Sequence, residues 1–290
     1  MTNTAPLPSS LCRRILRHFG LPSQLPATVE TLQLLVARYT RNVPWESANR
    51  IVRRANHVEN EACFLTGEAF WESRFATGSG GTCYESNYAF WGLLRWLGYA
   101  GYLTLNDMGE HVGCHSAIVL RLAGQKWLVD VGFPLYTCIP IQAGQETVAE
   151  CPFMQYRLVP QGGDSYLLRR ENLPRAYSFT LCDEPVADDA YRAIGIHDYR
   201  HDGGQFLNEV VIHKVVAEQL WRFHSDPRPL CLQQFVDGER RDHVMDDNAA
   251  AELAAKFGIA RDLLAEALEL VGAKDYNGAN SQESQARCRR

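Results

Sequence analysis

Cys83 closes a glycine-rich run, Gly78-Ser79-Gly80-Gly81-Thr82-Cys83, and opens a helical pattern. Phe90, Leu93, Leu94 and Leu97 recur at i, i+3, i+4 and i+7, and Gly98 stands where a C-terminal stop belongs. A thiol in the first turn of a helix feels the positive end of the backbone dipole, which favours the thiolate. Three glycines let the backbone adopt unusual torsions and approach a substrate closely. Such a thiol is a nucleophile only if a base attends it; otherwise Cys83 is a buried packing residue.

The partners come from the stretch His115 to Phe133. Two strand-like runs meet at Ala123-Gly124, which predicts a hairpin with a two-residue turn. Leu122 then pairs with Gln125, and Ala117 lies opposite Asp130. His115 becomes the diagonal neighbour of Asp130 on the same sheet face, about 7–8 Å away between Cα atoms and within reach of long side chains. A slip of one residue would send the two to opposite faces. Asp130 sits between Leu128-Val129 and Val131-Gly132-Phe133, so it is expected to be buried and to need a partner. A histidine suits it: the carboxylate fixes the ring tautomer and stabilises imidazolium, which in turn holds a thiolate. Cys83, His115 and Asp130 in that order fit acyl-transfer chemistry. His111 lies in the adjacent loop and is the weaker base, while His197, His201, His213 and His224 show no metal-ligand spacing.

Composition narrows the setting. The 290 residues are 46% hydrophobic and 22% charged, ordinary for a globular chain with a sizeable core. A net charge of −5 supplies no broad basic field for nucleic acid. No apolar run is long enough for a membrane span, and residues 1–10 lack the apolar centre of a secretory signal. The nine cysteines are scattered without a CxxC pair, which argues against a zinc ribbon and for reduced thiols in a cytoplasmic protein.

The elements that must position the three residues change character near residue 100. Helical patterns occupy 11–20, a stretch from Thr28 through Tyr39, 61–76 and the Cys83 segment; Val43-Pro44-Trp45-Glu46-Ser47 breaks the second. Short β-branched and aromatic runs follow at 101–105, 115–122, 126–131, 154–159, 165–169 and 177–181, predicting an antiparallel sheet or small barrel. Residues 184–192 read as a polar, acidic, exposed segment. Strands return at 210–216 and 229–235 before a hairpin signal at Asp237-Gly238, and helices at 248–257 and 260–271. The expected division is a helical domain at 1–100, a barrel domain at 101–205, an α/β lid at 206–272 and a disordered tail at 273–290.

At these residues the sequence resembles the arylamine N-acetyltransferase family. Gly80-Gly81-Thr82-Cys83-Tyr84-Glu85-Ser86-Asn87 is similar to the family's nucleophile motif, His115 with Val129-Asp130-Val131-Gly132-Phe133 to the rest of its triad, and Val43-Pro44-Trp45-Glu46-Ser47 to an upstream segment. The likeness spans roughly residues 10–270 and is carried by those three regions. It implies an α+β fold, with a helical domain, an antiparallel β-barrel and an α/β lid around a thiol-protease-like catalytic core. It implies ping-pong transfer of acetyl from acetyl-coenzyme A, a substrate rather than a bound cofactor, to an arylamine or hydrazine. Backbone N–H groups of Cys83 and Cys114, with Gly113 beside it, would form the oxyanion site. Trp45, Phe133 and lid residues near Phe206 would line the acceptor pocket.

Three positions depart from the family pattern. Ser79 stands where an arginine usually precedes the nucleophile, so Glu46 must find another partner or titrate upward. Pro134 replaces a glycine in a loop that borders the donor cleft, and Cys114 replaces a smaller residue before the base. Two other tasks suit the same constellation: amide formation from a carrier-bound acyl chain, motivated by the Pro134-Leu135 change, and thiol hydrolysis of the papain or transglutaminase kind. A non-catalytic scaffold with Cys83 as a packing residue is the remaining alternative.

Overall fold

The computed structural model describes residues 6–171, 177–199, 204, 206–226, 229–236, 238–246 and 248–278, with backbone alone for 273–278. The chain opens with α1 (Ser9–His18) and α2 (Val29–Asn42). Thr28 caps α2 by accepting the Thr31 N–H, and the stripe Leu32, Leu35, Val36 and Tyr39 is buried. Pro44 ends the helix, and Trp45–Glu46 extend as a short strand, β1. Next come α3 (Ala48–Asn56), α4 (Asn60–Cys63) and α5 (Gly67–Thr77). The single helix expected over 61–76 is thus two, broken where Thr66 takes an extended conformation. The nucleophile helix α6 runs Cys83–Trp96.

A sheet then forms from β2 (Ala100–Met108), β3 (His111–Leu122), β4 (Gln125–Val129), β5 (Ile139–Ile141), β6 (Thr147–Cys151), β7 (Met154–Gly162), β8 (Ser165–Glu171) and β9 (Tyr177–Cys182). Its order is β5-β4-β3-β2-β9-β8-β7-β6, antiparallel throughout, and the end strands β5 and β6 approach each other in a nearly closed barrel. Sequence periodicity missed β5 and β6, the first because a three-residue strand centred on proline carries almost no pattern. β3 serves two cores by its alternation: Ile118 and Leu120 face the helices, while Ala117 and Val119 face the barrel interior.

Residues 184–192, expected to be exposed, instead lead into a helix, α7 (Asp188–His197), whose Tyr191 is wholly buried against the helical core. Its acidic first turn suits a helix N-terminus. The chain ends with β10 (Val211–Val216), β11 (Gln219–His224), β12 (Cys231–Val236), β13 (Glu239–Val244), α8 (Ala249–Phe257) and α9 (Arg261–Gly278). These four strands and β1 form a second antiparallel sheet in the order β1-β10-β11-β12-β13. The segment Val43–Ser47 therefore does more than end a helix: it lends the C-terminal sheet an edge strand. The tail expected from 273 begins inside α9, and residues 279–290 lie outside the described part of the chain.

The turn between α8 and α9 meets the end of α5 beside the nucleophile loop. Gly78 and Gly258 terminate α5 and α8 in left-handed conformations, and the Ala260 N–H donates to the Thr77 carbonyl at 2.6 Å. A Cβ on Gly78 would lie 1.9 Å from the Gly258 carbonyl oxygen, a backbone atom that cannot swing aside. Gly78→Ala combines that collision with an unfavourable positive φ. It is expected to lower the unfolding free energy by at least about 2 kcal/mol in urea denaturation.

Candidate functional site

The nucleophile loop is clasped to the segment that precedes α3. Trp45 and Gly81 form a parallel bridge, and the Glu46 N–H donates to the Gly81 carbonyl at 3.3 Å. A Cβ on Gly80 would stand 1.8 Å from the Pro44 oxygen. Gly80 thus approaches Pro44 and Gly81 bridges to Trp45, and of the three glycines only Gly78 has a positive φ. The Ser86 N–H closes the first turn on the Thr82 carbonyl at 3.0 Å, and the Ser86 hydroxyl donates to the Gly81 carbonyl at 3.0 Å. Cys83 is thereby fixed at the head of α6.

Glu46 is the clamp. Its carboxylate has no exposed surface and accepts the N–H groups of Asn49 at 2.9 Å and Gly80 at 3.0 Å. Burial nevertheless raises its pKa, only partly opposed by those two bonds and by the charge of Arg53. Both halves of the expectation hold: the carboxylate finds backbone partners, and it titrates upward. Ser79 replaces the missing cation with a ring of hydroxyls, accepting from Asn49 Nδ2 at 3.0 Å and Thr77 Oγ1 at 2.8 Å.

His115 and Asp130 meet as the hairpin register requires. Leu122 pairs with Gln125 and Ile118 with Val129, and the Nε2 atom of His115 lies 2.7 Å from Asp130 Oδ2. A carboxylate only accepts, so Nε2 carries the proton toward Asp130 and Nδ1 is the ring nitrogen open to a thiol. The imidazole packs against two touching rings, with centroids 4.6 Å from Phe179 and 5.7 Å from Phe133. The other oxygen of Asp130 accepts from Asn87 Nδ2 at 2.9 Å and from the N–H groups of Gly132 and Phe133, each at 2.8 Å. Gly132 lies against the nucleophile, where a Cβ would be 2.4 Å from the Cys83 Cα.

Cys83 itself is almost wholly buried, and its sulfur lies 3.9 Å from the Cys114 carbonyl oxygen. Burial pushes the thiol up, and the carboxylates of Asp198 and Asp130 push it further; Arg50 and the Ser116 contact pull the other way. Desolvation thus works against the pull of the helix terminus, and a neighbouring base that accepts the proton favours ionisation. Of the oxyanion candidates, Gly113 commits its N–H to Asp107 Oδ1 at 2.7 Å and its carbonyl to the Tyr84 hydroxyl. Trp45 stands edge-on to Phe206 at 4.9 Å and to His213 at 5.4 Å. With Val131, Pro134, Tyr136 and Lys214 it borders a shallow crevice.

Several residues of the site escaped the sequence reading. Asn87 donates to Asp130 and to the Ser116 carbonyl at 2.7 Å while accepting the Val131 N–H at 3.0 Å. The Tyr191 hydroxyl lies 2.8 Å from both the Tyr84 carbonyl and the Ser116 hydroxyl, tying α7 to the first turn of α6. Glu85 gathers Arg53 at 2.8 Å and the Tyr199 hydroxyl at 2.8 Å. Asn87 and Glu85 belong to the nucleophile motif itself. For Tyr191 the available signal was an acidic pair followed by apolar residues at helical spacing.

The fold and site can now be set beside known proteins. A family model described as N-acetyltransferase matches residues 28–262. An arylamine N-acetyltransferase of Escherichia coli is 27% identical over 170 residues, 55% of this chain, and the chain spans 58% of that relative's length. Proansamycin X synthase of Amycolatopsis mediterranei is 30% identical over 195 residues, covering 62% of this chain and 73% of that one. The structure of Mycobacterium marinum arylamine N-acetyltransferase in complex with CoA shares the fold, with a TM-score of 0.72 at 18% identity over 89% of this chain and 98% of that one.

The Glu46 clamp yields a pH signature. Its folded pKa is raised, so between the ordinary value of 4.5 and the raised one the folded state holds the proton that the unfolded state has lost. Stability therefore falls as pH rises through that window. Glu46→Gln removes this titration. In urea denaturation from about pH 4 to 8, the wild type should lose stability relative to the variant as pH increases; a constant difference would show that the carboxylate does not titrate in this range. The match of the family model over most of the sequence, together with the shared fold, places this chain in the arylamine N-acetyltransferase family.

Proposed function

We propose that the protein is an acyl-coenzyme A-dependent N-acyltransferase that moves acetyl from acetyl-coenzyme A to an arylamine or hydrazine through an acetyl-cysteine. The observation that carries this reading is the 2.7 Å His115–Asp130 hydrogen bond set beside the first turn of the helix that bears Cys83. His115 takes the Cys83 proton through Nδ1 as sulfur attacks the thioester carbonyl. The bond from carbonyl carbon to the coenzyme sulfur breaks, and the imidazolium protonates the departing thiolate. In the second half the amine nitrogen attacks the acetyl-cysteine, gives its proton to His115, and Cys83 recovers it as the thiol. Asp130 keeps the ring oriented and stabilises the imidazolium. Burial disfavours a lone thiolate at Cys83, so the sulfur depends on this base to take its proton.

The backbone N–H groups of Cys83 and Cys114 are assigned to the developing oxyanion, and Trp45 and Phe133 to the acceptor pocket. A small amine and an acyl-coenzyme A are the partners, with no role for nucleic acid. A cytoplasmic setting accords with eight unpaired cysteines among the described residues, where no helix is long and apolar enough to cross a membrane.

A second reading keeps the triad and changes the cargo to a longer acyl chain delivered on a carrier and released as an amide. It is favoured by the similarity to a relative named Proansamycin X synthase and by Pro134 in the loop after Phe133. Intact-protein mass spectrometry after brief exposure to acetyl-coenzyme A separates the two. The wild type should gain one acetyl group, Cys83→Ala none, and His115→Ala should acylate at least about 10²-fold more slowly. An unmodified but folded wild type that is acylated by carrier-type thioesters would establish the second reading instead.

A further inference from the structure

An oxyanion formed at Cys83 needs the Cys114 N–H aimed at it, and regular strand pairing lapses just at that group. Asn106 pairs with His115 and Met108 with His111, so Asp107 alone faces Val112, Gly113 and Cys114. Such a bulge disrupts the ladder locally and re-aims the chain, and bulges recur beside active sites. Within it Gly113 takes a φ of 62°, a conformation that favours glycine. Side chains hold this residue instead. Asp107 Oδ1 accepts the Gly113 N–H at 2.7 Å, and the Tyr84 hydroxyl donates to the Gly113 carbonyl. The two act from opposite sides of one Cα, Asp107 on the peptide unit before it and Tyr84 on the unit after it.

That second unit is the important one. The Gly113 carbonyl and the Cys114 N–H share a single peptide plane. Fixing the carbonyl therefore fixes the N–H, which points the opposite way in a trans unit. The carbonyl of Cys114 itself lies 3.9 Å from Cys83 Sγ, and in an extended residue N–H and carbonyl project to the same side of the strand. The bond from Tyr84 thus holds the donor turned toward the nucleophile. A hydrogen bond on the carbonyl also polarises the unit and strengthens its N–H. Tyr84 follows Cys83 in the first turn of α6, so one turn presents both the sulfur and the hydroxyl. Its ring stands edge-on to Tyr191 at 5.2 Å, which steadies it. Burial, with Cys83 and Asp198 nearby, raises the Tyr84 pKa, so the hydroxyl stays protonated and keeps donating.

We infer that Tyr84 and Asp107 are positioning residues for acyl transfer, which together hold the Gly113–Cys114 peptide so that its N–H meets the oxyanion at Cys83. Neither side chain touches the substrate. Both act through the backbone, and their effect is confined to reactions that pass through a tetrahedral intermediate.

This inference rests on the acyl-transfer reading, and a pair of reagents separates the two. Acylation of Cys83 by 4-nitrophenyl acetate, followed by release of nitrophenolate, builds an oxyanion but needs no coenzyme site. Alkylation by iodoacetamide uses the same thiol and base at a saturated carbon and builds none. Tyr84→Phe, which removes only the hydroxyl, should slow acylation by about ten- to a hundredfold and leave alkylation within about twofold of the wild type. Asp107→Ala should act in the same way and covers the case in which Tyr84→Phe does not fold. Asp107→Asn keeps an oxygen for the Gly113 N–H and should recover most of the acylation rate. Equal losses in the two reactions, or undiminished acylation in both folded variants, would overturn the inference. A wild type acylated by the activated ester but not by acetyl-coenzyme A would instead overturn the assigned donor, and one that is alkylated but acylated by neither would overturn both.

Discussion

Asp130 is a carboxylate with no exposed surface, and four donors from three separate elements converge on it: His115 Nε2, Asn87 Nδ2 and the N–H groups of Gly132 and Phe133. Leaving such a charge unmatched in the interior would cost several kcal/mol, so these contacts must form together. That requirement fixes the turn after β4, the orientation of α6 and the rotamer of the base at once. Asn87 works in both directions, giving hydrogens to Asp130 and the Ser116 carbonyl and taking one from Val131. Its position one helical turn beyond Cys83 means that the bracket holding the acid also holds the nucleophile.

Glu46 performs the corresponding task on the other side of the loop, but with a different balance. Burial raises its pKa, and two backbone donors and the charge of Arg53 oppose that only in part, with no side-chain cation among the described residues hydrogen-bonded to it. Ser79 explains the difference. A hydroxyl can complete a local ring with Thr77 and Asn49, yet it brings no charge to offset the buried carboxylate. The loop remains clamped because the bonds that shape it are backbone bonds, and only its protonation is sensitive to the substitution.

The sequence revealed the parts of this site that are governed by short-range rules. A two-residue turn and a period of two set the register of β3 on β4, and from that register the meeting of His115 and Asp130 follows. The helix bearing Cys83 announced itself by its apolar stripe and closing glycine. What failed did so because the deciding partners are distant in sequence. Tyr191 lies in an acidic stretch that looks solvated, but its hydroxyl bonds the Tyr84 carbonyl more than a hundred residues away. β1 looks like a helix end until it pairs with β10. The thiol shows the same divide: the dipole of its own helix is local and visible, whereas the burial that raises its pKa is imposed by strands and loops packed from elsewhere.

Buried charge in this molecule falls into two kinds. Within the helical core Arg53 and Glu85 compensate one another at 2.8 Å, and Arg50 holds Asp198 at 2.7 Å while lying over the Tyr199 ring. These pairs fasten α3 and the end of α7 around the nucleophile helix, although Arg53 Nε and Nη1 and Glu85 Oε2 have no hydrogen-bond partner among the described residues. Between barrel and C-terminal sheet Arg170 rests on Phe133 with no carboxylate paired to it among the described residues, and Trp45, Arg222 and Gln233 have buried atoms without a partner there. An ion pair of the first kind makes a rigid scaffold, because each charge needs the other to stay buried. Groups of the second kind keep unspent hydrogen-bonding capacity where the two sheets face each other. Both regions leave some buried donors unmatched, so what distinguishes the scaffold behind the thiol is the opposite charge that Glu85 and Asp198 hold against Arg53 and Arg50.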